Sequence, residues 1–188
     1  EQILLFCNSF HTDIHYSIFW TISYRFTWIP LYLLLTFMLF RVFKAKDALL
    51  LLVCIGVTIT LCDQICSHVI RGAVCRLRPS NPDNPISAFI TLVDGYRSGQ
   101  YGFPSCHAAN TIGLATILSL AMARRWFTIS IFTWAIVVCW SRLYLGVHYP
   151  SDLLVGGLIG SAIATGCFFA LKSLVKLQRN APRYVQQA

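Results

Sequence analysis

Residues 48–79, ALLLLVCIGVTITLCDQICSHVIRGAVCRLRP, decide how this chain folds. The run opens with uncharged, mostly aliphatic residues from Ala48 to Cys62, too few to cross a bilayer, which takes about 20 apolar residues. Past the lone Asp63 the apolar character resumes as far as Ile70, and the stretch then meets the length requirement. It ends on Arg71, Arg76 and Arg78, followed at once by Pro79. A membrane-crossing helix that emerges into a cluster of arginines is the expected structure.

Working outward, the same pattern repeats. Charge-free intervals fall at residues 26–40, 98–123, 126–141 and 153–171, with Arg41 placed to snorkel from the end of the first. Trp28, Trp126 and Trp140 lie near the proposed span ends, where interfacial aromatics concentrate. Of the 188 residues, 56% are hydrophobic and only 12% charged, against roughly 25% charged in an ordinary soluble domain. The expected fold class is therefore all-α: a polytopic transmembrane bundle of about five spanning helices forming one domain over residues 1–188. Residues 13–24, DIHYSIFWTISY, read as a short interfacial helix, with a sixth, partial span as the alternative. Glu1 is acidic and no basic segment precedes the first apolar residues, so no cleaved leader is expected and insertion falls to the internal spans.

The net charge of +8 does not make a nucleic-acid-binding surface, because the cations sit in small groups between apolar blocks. Nine of them order the topology. Arg41, Lys44 and Lys46 follow the first span, Arg124 and Arg125 the third, and Lys172, Lys176, Arg179 and Arg183 the fifth. With five spans all three groups share one side, which the positive-inside rule makes cytoplasmic. Arg25, Arg71, Arg76, Arg78, Arg97 and Arg142 are left on the other side and need a different explanation. The eight cysteines form no paired metal-ligand motif, and Cys54, Cys62, Cys66, Cys139 and Cys167 lie in apolar runs as small hydrophobes.

Three polar clusters converge on that outer face: Arg71, Arg76 and Arg78; Ser105 and His107; and Arg142, His148 and Asp152. Ionisable groups this close to lipid are costly unless paired or functional. Several guanidinium forks suit the oxygens of a phosphate, and a helix opening at "PSCHAAN" (residues 104–110), with Ser105 as N-cap, adds free backbone N–H groups. Two histidines divide the chemistry of phosphoryl transfer. His148 precedes Pro150, which suits a helix's first turn, and Asp152 inside that turn can hold one imidazole nitrogen while the other attacks phosphorus. His107 then protonates the leaving oxygen. This residue set requires neither metal nor cofactor.

The segments RGAVCRLRP (71–79), PSCH (104–107) and SRLYLGVHYPSD (141–152) resemble, in order, the three motifs of the type 2 phosphatidic acid phosphatase superfamily, KxxxxxxRP, PSGH and SRxxxxxHxxxD. The resemblance covers a motif core at residues 71–152. It implies that Arg71, Arg78, Ser105, Cys106 and Arg142 bind phosphate, His107 is the acid, His148 the nucleophile and Asp152 its partner. Two positions depart from the motifs: Arg71 stands for the usual lysine and Cys106 for the usual glycine. Compact chains of this kind resemble bacterial members, which implies an inner-membrane protein with its site toward the periplasm.

The expected activity is metal-independent hydrolysis of a phosphate or diphosphate from a membrane lipid such as a polyprenyl diphosphate, lipid A, phosphatidic acid or phosphatidylglycerophosphate. Transfer to an acceptor lipid and non-catalytic phospholipid binding are the alternatives. The partners expected are the phosphorylated lipid and the membrane; the sequence assigns no oligomeric state. Arg76 divides evenly between a substrate contact and a solvent or lipid-headgroup role, Asp63 and His68 read as buried polar partners between helices, and Tyr96 and Arg97 as entrance or interfacial anchors.

Overall fold

The computed structural model describes residues 1–10, 12–92 and 95–180. Arg183, counted above with the last basic group, and Val93 and Asp94 of the outer loop lie outside the described residues. The chain is an all-α bundle: α1 (Gln2–Asn8), α2 (Asp13–Ser23), α3 (Ile29–Val42), α4 (Ala45–Gln64), α5 (Arg71–Val74), α6 (Cys106–Met122), α7 (Arg125–Tyr144) and α8 (Pro150–Leu174). A 3₁₀ turn (Arg25–Trp28) leads into α3, and a π-helical segment (Ile65–Ile70) carries α4 without a break into α5.

Among the described residues, four helical stretches are long and apolar enough to cross a membrane: Arg25–Val42, Ala45–Val74, Arg125–Tyr144 and Pro150–Leu174. The run opened by residues 48–62 thus forms a continuous rod that extends past Ile70 to Val74 and delivers Arg71 to its end. The outer surfaces of the rods carry large apolar side chains, among them Leu33, Phe37, Val53, Ile136, Leu154 and Leu158. This is the exposure expected where the solvent is hydrocarbon. The chain is an integral membrane protein.

The third expected span differs from its reading at 98–123. Helix α6 begins only at Cys106 and has 17 residues, about 26 Å at 1.5 Å per residue. The preceding segment instead runs alongside residues 76–78: Arg78 N–H donates to Gln100 O at 3.0 Å and Gly102 N–H to Arg76 O at 2.9 Å. Gly99, Gly102 and Pro104 favour this open backbone over helix. The short α6 is tolerated because it is the bundle's central helix, packed on α4, α7 and α8. Helix α2 occupies the predicted interfacial segment; its 11 residues are too few to span.

Small residues set the tightest contact. A Cβ at Gly156 would lie 2.4 Å from Ser105 O, and one at Gly160 would lie 2.1 Å from Ala109 O. Backbones of α6 and α8 therefore touch along a small-xxx-small seam, the close approach that van der Waals packing between membrane helices exploits. At the opposite end, the segment after α8 straps across the helix termini. Arg179 caps the last carbonyls of α6 at Ala121 (2.8 Å) and Met122 (2.6 Å), and Asn180 N–H donates to Val42 O of α3 at 2.8 Å. The basic groups at 41–46, 124–125 and 172–179 thus share one end of the bundle, as the charge pattern predicts.

Candidate active site

At the other end, the three polar clusters meet. Helix α6 opens with Ser105 as N-cap, its hydroxyl accepting from Ala108 N–H at 3.4 Å, while Ser105 N–H donates to Asp152 O at 3.0 Å. This hydrogen bond and the glycine seam fix the first turn of α6 against the first turn of α8. First-turn amides have no partner within their own helix and face outward with the positive end of the dipole.

His148, 1% exposed, ends the loop between α7 and α8. Its Nδ1 lies 3.4 Å from Asp152 Oδ2, and its Nε2 lies 2.9 Å from Arg78 Nη1. Asp152, wholly buried at the third position of α8, also caps that helix by accepting from Tyr149 N–H at 2.8 Å. Capping and orientation are thus compatible duties of one carboxylate. Because a guanidinium can only donate, Nε2 accepts from Arg78 and the ring proton sits on Nδ1, close to Asp152 Oδ2 but without a hydrogen bond to it in this geometry. Burial, and then the charges of Arg78, Arg142 and Arg71, hold the His148 imidazole well below its ordinary pKa. A neutral ring is the form that can attack.

The arginines crowd the same space. Arg78 is buried, donates to Val147 O at 3.0 Å, and has its pKa lowered to about 10 by burial and by the nearby Arg71 and Arg142. Arg142, buried at the end of α7, donates to Ser23 Oγ at the end of α2 and lies within electrostatic reach of Tyr96. Arg71 Nη2 reaches Pro104 O at 3.2 Å and the Cys106 thiol at 2.9 Å. The two departures from the family motifs therefore meet: the longer guanidinium engages the thiol, which also lies 3.2 Å from Ser67 Oγ on the α4 rod. Each of Arg71, Arg78 and Arg142 leaves its Nε–H buried with no hydrogen-bond partner among the described residues. Three cations with orphaned donors around one imidazole make an anion site. His107 lies within electrostatic reach of Arg142, His148, Arg78 and Arg25 and lines the two cavities that open beside it.

The structure adds contacts for the residues whose sequence readings were open. Arg76 Nη1 pairs with Asp152 Oδ1 at 3.0 Å and Ser151 Oγ at 2.8 Å, and its guanidinium lies 4.1 Å from the Tyr149 ring centroid. Tyr96 sits on Arg142, and Arg97 ties the outer loop to Ser80 O. Burial alone would raise the Tyr96 phenol; Ser98, Arg142 and Arg78 outweigh it and lower the pKa. His68 is exposed, and Asp63 lines a cavity with no hydrogen-bond or ion-pair partner among the described residues, so neither ties helices together. Sequence reasoning missed Gly102, where a Cβ would stand 3.0 Å from Arg78 Cγ and 3.4 Å from Asp152 Oδ2. It also missed the seam, although Ala109-x-x-x-Gly113 and Gly156-x-x-x-Gly160 carry its signal.

A cavity of about 470 Å³ descends from Cys106 and His107 between α3, α4, α6 and α7, with mostly apolar walls. A smaller one, about 220 Å³, opens at Arg25, Tyr96 and Arg142 and shares His107. A cluster of guanidiniums at the rim of a mostly apolar chamber is an arrangement that can take an amphiphile with an anionic head.

Comparison with known proteins agrees. The chain is 42% identical over 182 residues to a lipid A 4'-phosphatase of Bacteroides thetaiotaomicron, covering 96% of this chain and 81% of that one. A lipid A 4'-phosphatase of Porphyromonas gingivalis is 31% identical over 160 residues, 85% of this chain and 67% of the other. The crystal structure of LpxE from Aquifex aeolicus superposes with a TM-score of 0.63 at 21% identity, over 89% of this chain and 93% of that one, and so shares the fold. The family model of the PAP2 superfamily matches residues 47–175, which takes in all three polar clusters, and the chain belongs to that superfamily.

Proposed function

We propose that this phosphatase removes a phosphate monoester from lipid A, at the 4' position, through a phosphohistidine on His148. The observation that carries the reading is the set of three guanidiniums whose buried Nε–H groups lack partners among the described residues near His148. A phosphoryl group fills that need with oxygens that accept in the plane of each fork. The 42% identity to a lipid A 4'-phosphatase supports the lipid and the position.

When the phosphate engages Arg71, Arg78, Arg142 and the first-turn amides of α6, Arg78 is drawn from His148 Nε2. The freed lone pair attacks phosphorus in line with the leaving oxygen. Asp152 holds Nδ1–H and stabilises the imidazolium character that develops. As the bound phosphate dianion offsets the surrounding guanidiniums, His107 takes up a proton to become an imidazolium; it gives that proton to the departing sugar oxygen, and then takes one back from the water that attacks the P–N bond. Inorganic phosphate leaves and both imidazoles return to their starting states. The three guanidiniums neutralise charge on the equatorial oxygens throughout.

The lipid's acyl chains occupy the chamber below His107 while its headgroup stays at the rim. The basic end of the bundle then lies in the cytoplasm and the site faces the periplasm. The deciding experiment follows the mass of lipid A incubated with purified protein. Loss of one phosphate from the 4' position, absent in His148→Ala, is expected; loss from the 1 position, or undiminished turnover in His148→Ala, overturns the reading. A cysteine placed at Ser98 should be labelled from the periplasmic side.

A further inference from the structure

The chamber beneath His107 is greasy, yet three polar side chains on its wall lack partners. Asn110, one turn below His107 on α6, has its Oδ1 buried without a hydrogen bond, and Trp134 on α7 has a buried, unpartnered indole N–H. Asp63 on α4 lines the same chamber and neither accepts a hydrogen bond nor pairs with a cation among the described residues. The threonine hydroxyls of this wall are satisfied locally: Thr111 Oγ1 donates to His107 O and Thr36 Oγ1 to Tyr32 O, each at 2.8 Å. Leaving such groups unpaired in hydrocarbon is costly, and an ionisable residue at membrane depth marks a functional position.

Their depth is informative. Asn110 lies five residues along α6 from Ser105, Asp63 eight along the α4 rod from Arg71, and Trp134 eight along α7 from Arg142. At 1.5 Å per residue these offsets are about 7, 12 and 12 Å below the phosphate-binding side chains. A polyprenyl tail presents only hydrocarbon at that depth. An acyl chain joined through an amide to an amino sugar, and hydroxylated near that amide, presents an N–H, a carbonyl and an O–H there.

We propose that Asp63, Asn110 and Trp134 form a polar subsite inside the lipid chamber that recognises the amide and hydroxyl of an N-(3-hydroxyacyl) amino-sugar phosphate. The subsite rests on the lipid phosphatase reading above and gives the reason for the enzyme's choice among lipids. Asp63 and Asn110 Oδ1 accept from the substrate N–H and O–H, and the Trp134 indole donates to the acyl carbonyl. A site built to hydrogen-bond a substrate group rejects the analogue lacking that group, because its own polar atoms then stay unpaired.

The test compares a phosphorylated N-(3-hydroxyacyl)glucosamine lipid with its 3-deoxy analogue and with a polyprenyl phosphate of matched length. Wild type should favour the hydroxyacyl lipid over the deoxy analogue by at least tenfold in kcat/KM, and over the polyprenyl phosphate by more. In Asp63→Asn, and independently in Trp134→Phe, that ratio should fall several-fold towards one. Equal turnover of the two acyl lipids by wild type, or an undiminished ratio in both variants, overturns the subsite. Binding of the same pair to the His148→Ala protein measures discrimination without chemistry. Tighter binding of the hydroxyacyl lipid there, with no phosphate release by wild type, would uphold the subsite while refuting the phosphatase reading.

Discussion

Replacing Gly156 by alanine should test whether helix packing sets the active-site geometry. The added Cβ would stand 2.4 Å from Ser105 O, whereas ordinary contact begins near 3.4 Å, so α6 and α8 must part by about 1.0 Å at that level. Ser105 O is backbone and cannot swing aside. Asp152 lies one turn above Gly156 on α8, and His107 lies in the first turn of α6, so the parting moves the acid relative to the nucleophile and its partner. Misplacement by 1 Å costs on the order of 100-fold in rate, about 2.7 kcal/mol of barrier, and over-packing costs about 1–3 kcal/mol of stability. Gly166→Ala on the same helix is the control, because a Cβ there meets nothing within 4 Å. Phosphate release and thermal unfolding in one detergent read both effects. Gly156→Ala should lose about two orders of magnitude in kcat and several degrees in Tm, and Gly166→Ala neither. Wild-type kcat and Tm in Gly156→Ala would refute the claim that backbone contact at the seam positions the catalytic turns.

Other consequences are open to direct measurement. Arg76→Gln removes the cation on Asp152 Oδ1; with Arg76 36% exposed, the loss is screened and kcat should fall only about tenfold at constant KM, whereas a raised KM would make Arg76 a substrate contact. Because His148 lies well below its ordinary pKa, acidification protonates the nucleophile late, and the acid limb of kcat/KM should fall below pH 6.5. Removing a repelling cation with Arg78→Gln should move that limb upward; an acid limb at or above 6.5 in wild type contradicts the assignment. Orthovanadate at 100 times its Kd should stabilise the fold by about 2.7 kcal/mol, an effect lost in Arg142→Gln. An unchanged Tm with vanadate would count against an anion site. EDTA should leave turnover intact, and a rate restored only by a divalent ion would refute the proposed chemistry.

The helical segments were readable because lipid imposes a one-dimensional rule: a span must be apolar for its whole length, and the charges between spans report their ends. That rule carried residues 48–70 correctly through Asp63. It misplaced the start of α6, because residues 98–105 are as free of charge as a span, yet Gly102 N–H donates to Arg76 O and Gln100 O accepts from Arg78 N–H instead. Only pairing between distant segments distinguishes the two, and a hydropathy count does not register it. Arg76 shows the same limit within the site. Its position between motif residues leaves its role undetermined until the chain brings Asp152 within 3.0 Å.

By itself, then, the amino-acid sequence determined that this chain is a membrane-embedded helical bundle with its arginines and histidines at helix ends, because the cost of burying charge in hydrocarbon acts residue by residue. Tertiary structure alone decided that Asp152 meets His148, Tyr149 and Arg76 together, that Cys106 and Arg71 engage each other, and that Asp63 faces a chamber with no partner among the described residues. Those outcomes depend on distances between helices, and here the distances are set by glycines whose missing side chains let two backbones touch.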